Sequence, residues 1–262
     1  MTALVVSIAI LIIAGYLLFR RRKTQAPDIL ESTVKYAGIL NAEVAFYQKL
    51  DDAGKSRFEN LVISFLSETR IEGVGTDITE LDQVLIASSA VIPIFGFPEW
   101  KYKNLSNVVL YPHTFNSDFQ YEGDSRNIMG MVGSGYMNGQ MLLSRDALLA
   151  GFSNTAGKEN AAVHEFVHLL DKSDGATDGV PENFLAPEFA TPWLKMMHKE
   201  MQNIESGNSD INPYAISNEA EFLAVAAEYF FEKPEKFEKT HPDLYEMLSR
   251  IFAQTPGSSV TH

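Results

Sequence analysis

Apolar side chains recur every third or fourth residue along much of this chain, which is the spacing that places them on one face of an α-helix. The pattern is clear in AAVHEFVHLLD, residues 161–171, and in NEAEFLAVAAEYFFE, residues 218–232, which Pro234 follows. Segments of this kind predict helices over residues 31–50, 55–69, 77–90, 158–171, 192–204, 218–232 and 242–252.

The pattern changes between residues 108 and 144, where short apolar runs are bounded by turn-forming residues. VVLYP, residues 108–112, has the composition of a buried strand that its proline ends. The pair Asn138-Gly139 stands between two apolar stretches within residues 131–144, which indicates a β-hairpin. We therefore predict an α+β fold that is mostly helical, with a small, mainly antiparallel sheet.

The first residues follow a different pattern, because residues 2–19 carry no charge over about the length that spans a bilayer. The basic run Arg20-Arg21-Arg22-Lys23 follows directly, and no Lys or Arg precedes the apolar run. A cleaved signal peptide has the opposite order of charge, and a buried core helix would not adjoin four positive charges. The positive-inside rule predicts a single-pass helix in the inner (cytoplasmic) membrane, with the N-terminus outside and a cytoplasmic catalytic domain.

The expected organisation has four parts. These are a transmembrane helix at residues 2–19, a basic juxtamembrane linker at residues 20–30, one globular domain at residues 31–255 and a disordered tail at residues 256–262. A domain of this length is long enough to bury a sizeable core.

The net charge and the absence of cysteine limit the partners and the metal ligands that this chain can have. The chain has 21 Lys and Arg against 34 Asp and Glu, a formal net charge of −13, which disfavours nucleic acid as a partner. It has no cysteine, so disulfides, thiolate nucleophiles and Cys-ligated zinc sites are excluded. Any metal must therefore be bound by His, Asp or Glu side chains.

The helix predicted at residues 158–171 carries the motif H-E-x-x-H, formed by His164, Glu165 and His168. Residues four apart lie one turn apart on one helix face, so both imidazoles can bind one Zn²⁺ ion. Glu165 can border the same pocket without binding the metal and can take a proton from a water that the ion activates.

The alternative interpretation is a pair of hydrogen-bonded core histidines, with Glu165 exposed. The residues that flank the motif are nearly all apolar. Burying two imidazoles and a carboxylate among them without partners would be unfavourable, so the pattern favours a metal site.

A catalytic zinc site needs a third protein ligand and an open position for water. Glu221 and Glu228 stand seven apart and share the apolar face of the helix at residues 218–232, whereas Glu219 points away from it. On this spacing Glu221 is the first candidate and Glu228 the second. The remaining histidines outside the C-terminal tail are expected at the surface or at helix ends: His113, His198 and His241.

Two carboxylates are candidates to accept the second ring N–H of a ligand histidine. Asp171 lies three residues after His168 on the same face, and Glu228 would approach from the other helix. The alternative for each is a plain helix-end or surface carboxylate. The hairpin could equally supply an edge strand for an extended peptide or belong to an ordinary core sheet.

Longer motifs give the chain a family resemblance. They are VLYPHTF at residues 109–115, MLLS at residues 141–144, NAAVHEFVHLLD at residues 160–171, DGVPE at residues 178–182 and YAISNEAEFLAVAAEYFFEKPEKF at residues 214–237. With these, the sequence from about residue 47 to residue 252 resembles the zinc-dependent peptidases of the Mlc titration factor A family, and in turn the catalytic domain of anthrax lethal factor.

The resemblance implies a zincin-like domain in which Glu221 is the third zinc ligand. It also implies that Tyr214, seven residues before that glutamate, places a hydroxyl near the oxyanion of the reaction. From the residues alone, Tyr214 would be a loop aromatic packed after Pro213. Gluzincins carry an acid four residues after the glutamate ligand, and this chain departs from them because Val225 stands there.

The function predicted on these grounds is hydrolysis of peptide bonds in peptide or protein substrates, by a zinc-activated water with Glu165 as the base. The resemblance suggests aminopeptidase-type action and a sugar-responsive repressor protein as partner, although the best-known members lack the membrane anchor. Two alternatives from other classes stay open. One is a regulatory binding protein that sequesters a repressor with little turnover, and the other is a metal-dependent hydrolase of non-peptide substrates.

Overall fold

The structure is a computed structural model and describes residues 29–123, 125–133, 135–153 and 157–257. The described chain forms helices α1 to α10 and strands β1 to β4. The helices are α1 (Ile29–Glu43), α2 (Ala45–Gln48), α3 (Asp52–Glu68), α4 (Glu80–Ile94), α5 (Arg145–Gly151), α6 (Ala161–Asp171), α7 (Pro187–Glu205), α8 (Glu219–Glu232), α9 (Pro234–Thr240) and α10 (Pro242–Phe252). The strands are β1 (Arg70–Gly73), β2 (Asn107–Tyr111), β3 (Gly130–Val132) and β4 (Gln140–Ser144).

Polar side chains fix where the main helices begin. Asp51 accepts a hydrogen bond from the backbone N–H of Gly54 at the start of α3. Thr79 and Asp82 form a reciprocal capping box at the start of α4. Each such cap satisfies backbone donors that the first turn of a helix leaves without a partner.

The sheet differs from the prediction. Its strand order is β1-β2-β4-β3, and β1 pairs parallel with β2, as β2 does with β4. Only β3 and β4 are antiparallel, in the hairpin that Asn138-Gly139 indicated. The prediction of a mainly antiparallel sheet was therefore wrong. The cause is β1, a four-residue strand without apolar alternation, which α4 connects to β2 as a crossover.

Helix α6 lies at the centre of the domain. It packs against α8, α4 and β3, and its residues Val163, Phe166 and Val167 are fully buried. Helix α8 is rich in alanine and contributes further buried residues, among them Phe222 and Phe230. Small side chains let the two helices approach closely, so residues on their facing surfaces can meet.

Most predicted helices agree with the structure, apart from shifted ends. The helix predicted at residues 31–50 is broken between α1 and α2, and α9 was missed. The predicted transmembrane helix at residues 2–19, the basic residues at 20–28 and the tail at residues 258–262 lie outside the described residues. Among the residues that are described, no helix combines the length and the apolar character that crossing a membrane requires.

Candidate metal centre

Asn160 sets the start of α6 and hence the positions of the motif residues. Its side-chain oxygen accepts a hydrogen bond of 3.1 Å from the backbone N–H of Val163, and the residue itself is fully buried. From this start, His164 and His168 follow on one face, with ring centroids 4.7 Å apart. The two imidazoles therefore point into the same space, as their spacing predicts.

Glu221, from the first turn of α8, completes a group of three possible metal ligands. Its Oε2 lies 2.9 Å from Nε2 of His164 and 3.5 Å from Nε2 of His168, and the two Nε2 atoms are 3.1 Å apart. Asn218 caps α8 by accepting a hydrogen bond from the backbone N–H of Glu221, which fixes the turn that carries this carboxylate. Of the described residues, this is the one group of three His, Asp or Glu side chains able to converge on a cation.

The distances among these three atoms fit a tetrahedral ion. Ligand bonds of about 2 Å place neighbouring corners of a tetrahedron about 3.3 Å apart, close to the observed separations of 2.9, 3.1 and 3.5 Å. Two imidazoles and one carboxylate are also a donor set that zinc accepts. His164, His168 and Glu221 can therefore hold one Zn²⁺ ion and leave a fourth position open.

Glu228 orients the imidazole of His164 by contacting its Nδ1 atom. Its Oε1 lies 2.7 Å from Nδ1 of His164, and its other oxygen accepts a hydrogen bond from the backbone N–H of Asn160. An imidazole whose Nδ1 donates to a carboxylate presents a free Nε2 lone pair to a metal. We call Nε2 of His164, Nε2 of His168 and Oε2 of Glu221 the three-atom group. Glu228 therefore lies on the opposite side of His164 from this group and is not among the ligands.

Asp171, the other candidate for this orienting role, makes a different contact. Its Oδ2 accepts a hydrogen bond of 2.9 Å from the backbone N–H of Gly179, and it forms no hydrogen bond with either histidine among the described residues. Gly179 has φ +76°, which favours glycine, and its carbonyl accepts from the indole N–H of Trp193. Asp171 thus ties the loop after α6 to the rest of the domain.

The carboxylates control the protonation of His164 when no cation is bound. Burial disfavours the charged imidazole, but hydrogen bonds to Glu221 and Glu228 outweigh burial and raise the pKa of His164 to about 10. Burial would raise the pKa of Glu221, but hydrogen bonds to His164 and His168 outweigh burial and lower that pKa. The pocket is therefore electrostatically suited to a cation.

Glu165 lies in the wall of the same pocket. It is buried, and β3 passes so close that a Cβ built on Gly130 would be 2.6 Å from Cγ of Glu165. Burial raises the pKa of Glu165 above its ordinary value. The carboxylate is therefore more basic than that of an exposed glutamate.

Tyr214 lies at the mouth of the site, in the 3-10 helix Pro213–Ile216 that precedes α8. It is 55% exposed, and its ring centroid is 6.2 Å from that of His164. Burial, Glu221 and Glu165 raise the pKa of its phenol, so the hydroxyl stays protonated and can donate a hydrogen bond. The structure thus places this residue at the site and not in a remote loop.

A cavity of about 660 Å³ connects these groups, and we call it the catalytic cleft. Its walls include His164, Glu165, His168 and Glu221, with Tyr214 on the outer side. Strand β3 forms one edge and the turn before α8 forms the other. The volume is large enough for a peptide segment next to the three-atom group.

The remaining histidines lie away from the group. His113 and His198 are exposed and pair with Asp146 and Glu219. His241 lies at a helix end, as expected, because it stands between α9 and α10, and its partly buried ring contacts Glu200 and Asp210. Asp210 also accepts hydrogen bonds from Lys158 and Tyr229.

Sequence reasoning did not identify two residues that build the site. Asn160 shows a recognisable signal, since it is a capping residue immediately before an apolar helix. Gly130 shows none, because its close approach to Glu165 depends on how β3 packs over α6. Only the tertiary structure brings these two segments together.

Glu232 provides a test of this buried network by pH. It is partly buried and accepts a hydrogen bond of 2.9 Å from the side-chain amide of Asn160. Burial raises the pKa of Glu232 to about 7, and this hydrogen bond offsets the rise only in part. A carboxyl group with a raised pKa stabilises the fold fully below its ordinary pKa, and this stabilisation is lost as pH rises through about 7. Glu232→Gln keeps the acceptor without the charge, so we expect it to be more stable than wild type at pH 8 by about 2 kcal/mol.

The measurement is chemical unfolding at pH 5 and pH 8. The two proteins should have closely similar free energies of unfolding at pH 5, because Glu232 is then mostly protonated. Glu238→Gln, at an exposed position on α9, is the matched control and should show no such dependence. An equal difference at both pH values would contradict the assignment.

Comparison with known proteins places the chain in a family. Residues 18–253 match the family described as Glucose-regulated metallo-peptidase M90. The chain is 30% identical over 220 residues to Mlc titration factor A of Enterobacter sp. (strain 638), covering 77% of this chain and 80% of the relative. It is 26% identical over 232 residues to an uncharacterized protein of Synechocystis sp., covering 84% of each. The chain therefore belongs to the family of glucose-regulated metallopeptidases M90, and the resemblance of its motifs to the Mlc titration factor A family is confirmed.

Proposed function

We propose that this protein is a zinc-dependent peptidase in which His164, His168 and Glu221 bind the ion and Glu165 is the general base. The observation that carries the proposal is the convergence of three ligand atoms within one cleft that also contains the buried Glu165. Membership of a metallopeptidase family supports it, because such a family implies a metal ion.

The metal and the chain's own residues have separate roles. Zinc held by these three ligands would lower the pKa of a water molecule and polarise the carbonyl of the scissile bond. Glu165 takes the proton from the attacking water and later delivers it to the leaving amine. Its burial supports this role, because burial raises the pKa of Glu165 and so makes it a stronger base than an exposed glutamate.

The substrate backbone has an edge strand to pair with. In the described sheet, β3 is the outermost strand and pairs with β4 on one side only. Gly130, Met131 and Val132 all line the catalytic cleft. We infer that an extended peptide adds to this edge and is thereby held across Glu165. Whether cleavage is of the aminopeptidase type depends on how far the peptide extends along β3.

Tyr214→Phe tests the second catalytic assignment. We expect the phenol to donate a hydrogen bond to the oxygen of the scissile carbonyl as negative charge develops there, because Tyr214 lines the cleft with its ring 6.2 Å from that of His164. We expect kcat to fall about a hundredfold with KM little changed, since this bond strengthens only in the transition state. Steady-state kinetics on one peptide measures both constants, with the more remote Tyr36→Phe as control. A change confined to KM would exclude the proposed role.

The direct test of the proposed function is metal dependence of hydrolysis. The purified full-length protein should contain about one zinc ion per chain by elemental analysis. It should cleave members of a peptide library, lose this activity with a chelator, and regain it when zinc is restored. A metal-loaded protein that cleaves no peptide, but hydrolyses other compounds, would support the non-peptide hydrolase instead.

One relative's name favours a second candidate function. The name Mlc titration factor A, which belongs to a relative at 30% identity, describes a factor that titrates Mlc. For this chain the corresponding proposal is a binding protein with little turnover. Glu165→Gln discriminates between the two, because it should abolish hydrolysis and leave binding of a protein partner intact.

The predicted anchor adds a location to the proposal. Residues 2–19 and the basic run after them would hold the peptidase domain at the cytoplasmic face of the inner membrane. Cell fractionation followed by alkaline carbonate extraction should leave the full-length protein in the membrane pellet. Its release into the supernatant would contradict an integral anchor.

A further inference from the structure

A second cavity of about 190 Å³ opens beside the catalytic cleft, and we call it the side cavity. Val132 and Lys172 line both cavities, so the two spaces adjoin along the end of β3. The site described above uses none of the residues that line only the side cavity. Its volume is in the range that one large side chain can occupy.

The wall of the side cavity is partly apolar and held in place. Trp100 and Tyr102 pack edge to face with ring centroids 4.7 Å apart. The hydroxyl of Tyr102 donates a hydrogen bond of 2.8 Å to the carbonyl of Ala90, which fixes the ring. Leu105 and Leu169 add apolar surface. These contacts preorganise the cavity for a ligand with an aliphatic or aromatic stem.

The charge of the side cavity is opposite to that of the protein. Lys101, Lys103 and Lys172 line it, and none of its described lining residues is an Asp or a Glu, although the chain has a net charge of −13. Lys101 pairs with Glu68 outside the cavity. Lys172 donates to the carbonyl of Gly133, and no carboxylate pairs with Lys103 or Lys172 among the described residues. Two ammonium groups thus remain available for an anionic ligand.

We propose that the side cavity is a substrate subsite that binds a carboxylate of the peptide, either an Asp or Glu side chain or a terminal carboxylate. This inference rests on the proposed peptidase function and adds a substrate preference to it. Strand β3 runs from Gly130, beside Glu165, to Val132, beside the side cavity. At about 3.3 Å per residue, a peptide paired with β3 would place a residue two or three positions from the scissile bond at Lys103 and Lys172.

A simpler role for Lys172 is to stabilise the C-terminus of α6, where a positive charge is favourable. That role predicts a loss of stability on substitution, without any change in preference between peptides. The two roles are therefore separated by comparing acidic and neutral peptides on the same protein.

Peptide binding can be followed by the fluorescence of Trp100, which lines the side cavity. The only other tryptophan in the sequence, Trp193, is fully buried. Full-length Glu165→Gln protein would be titrated with blocked alanine hexapeptides, and the fluorescence of Trp100 recorded at low salt. Three sets of peptides would be compared. The first carries one glutamate at each of the six positions in turn, and the second carries glutamine at the same positions. The third has a free C-terminal carboxylate. Trp100→Phe should remove the signal.

We expect the best glutamate peptide to bind about tenfold more tightly than its glutamine counterpart, from two partly exposed ion pairs. This preference should disappear in Lys103→Met/Lys172→Met and persist in the control Lys195→Met/Lys199→Met, which removes two exposed charges on α7. Equal binding of all three peptide sets, or a preference for a carboxylate that survives the Lys103→Met/Lys172→Met change, would overturn the proposal. The best glutamate position, or tighter binding of the third set, identifies the source of the carboxylate.

Cleavage of the same peptides by wild-type protein tests the underlying function separately. If the acidic peptides bind but no peptide is cut, the subsite stands and the peptidase proposal fails. If peptides are cut, but neither the glutamate peptides nor the free-carboxylate peptides bind more tightly than the glutamine peptides, the peptidase proposal stands and the subsite is wrong.

Discussion

Glu165→Gln is expected to lower kcat for peptide hydrolysis about a thousandfold while the protein keeps its metal. Proton transfer by a positioned side chain contributes about 10²- to 10⁴-fold to such a rate. The amide of glutamine cannot take a proton from water at neutral pH, so this contribution is lost. The three ligand side chains are untouched, so the zinc content should not change.

Glutamine is the suitable replacement because Glu165 is packed tightly. A Cβ on Gly130 would lie 2.6 Å from Cγ of Glu165, so β3 leaves no room for a larger side chain at either position. Glutamine has nearly the same shape as glutamate and should fold normally. An unchanged melting temperature of the zinc-loaded variant would show that the effect on kcat is chemical and not structural.

Glu182→Gln, which removes an exposed carboxylate from the loop after α6, is the matched control and should retain full activity. Rates would be measured at saturating peptide, and zinc content by elemental analysis. Retention of more than about a tenth of the wild-type kcat by Glu165→Gln would exclude this residue as the base.

Glu221→Gln is expected to weaken zinc binding at least a hundredfold. A neutral amide oxygen is a much poorer zinc ligand than a carboxylate, and it removes the negative charge between the two imidazoles. Substitution of a residue that only hydrogen-bonds to a metal ligand lowers metal affinity roughly 10- to 100-fold, so loss of a direct ligand should lower it by at least as much.

The control stands two residues away on the same helix. Glu219→Gln removes a carboxylate that pairs with the exposed His198, so zinc affinity should stay near that of the wild type. Affinity would be measured by competition with a chromophoric chelator. A second readout is thermal stability, because an ion at a hundred times its Kd adds about 2.7 kcal/mol to the free energy of unfolding.

The comparison must use the difference between zinc-loaded and zinc-free protein for each variant. Glu221 also contacts His164 in the metal-free state, so Glu221→Gln changes stability even without zinc. The expected result is that zinc stabilises wild type and Glu219→Gln alike, and stabilises Glu221→Gln little at the same concentration. Equal stabilisation of all three would show that Glu221 is not a ligand.

The amino-acid sequence was most informative where local rules operate. The apolar periodicity of α6, α8 and α10 depends on residues within one helix, so these elements could be located within a few residues. The convergence of His164 and His168 follows from helix geometry alone. The hairpin of β3 and β4 follows from its Asn-Gly pair.

Other features depend on segments far apart in the chain. Spacing left Glu221 and Glu228 as alternative ligands, and only the packing of α8 on α6 places Glu221 beside both Nε2 atoms and Glu228 behind His164. The parallel pairing of β1 with β2 depends on a crossover that no local pattern reports. The side cavity forms where the segment around Trp100 meets the end of α6.

By itself the sequence determined the helices, the hairpin, the paired histidines with their adjacent glutamate, and the absence of any cysteine ligand. The tertiary structure decided between Glu221 and Glu228, which spacing had left as alternatives for facing the two histidines, and between Glu228 and Asp171 for orienting His164. It alone decided how closely β3 approaches Glu165. The physical reason is range: helix periodicity and turn preferences act over a few residues. Side-chain convergence requires the packing of whole elements, which the core residues of the entire domain determine together.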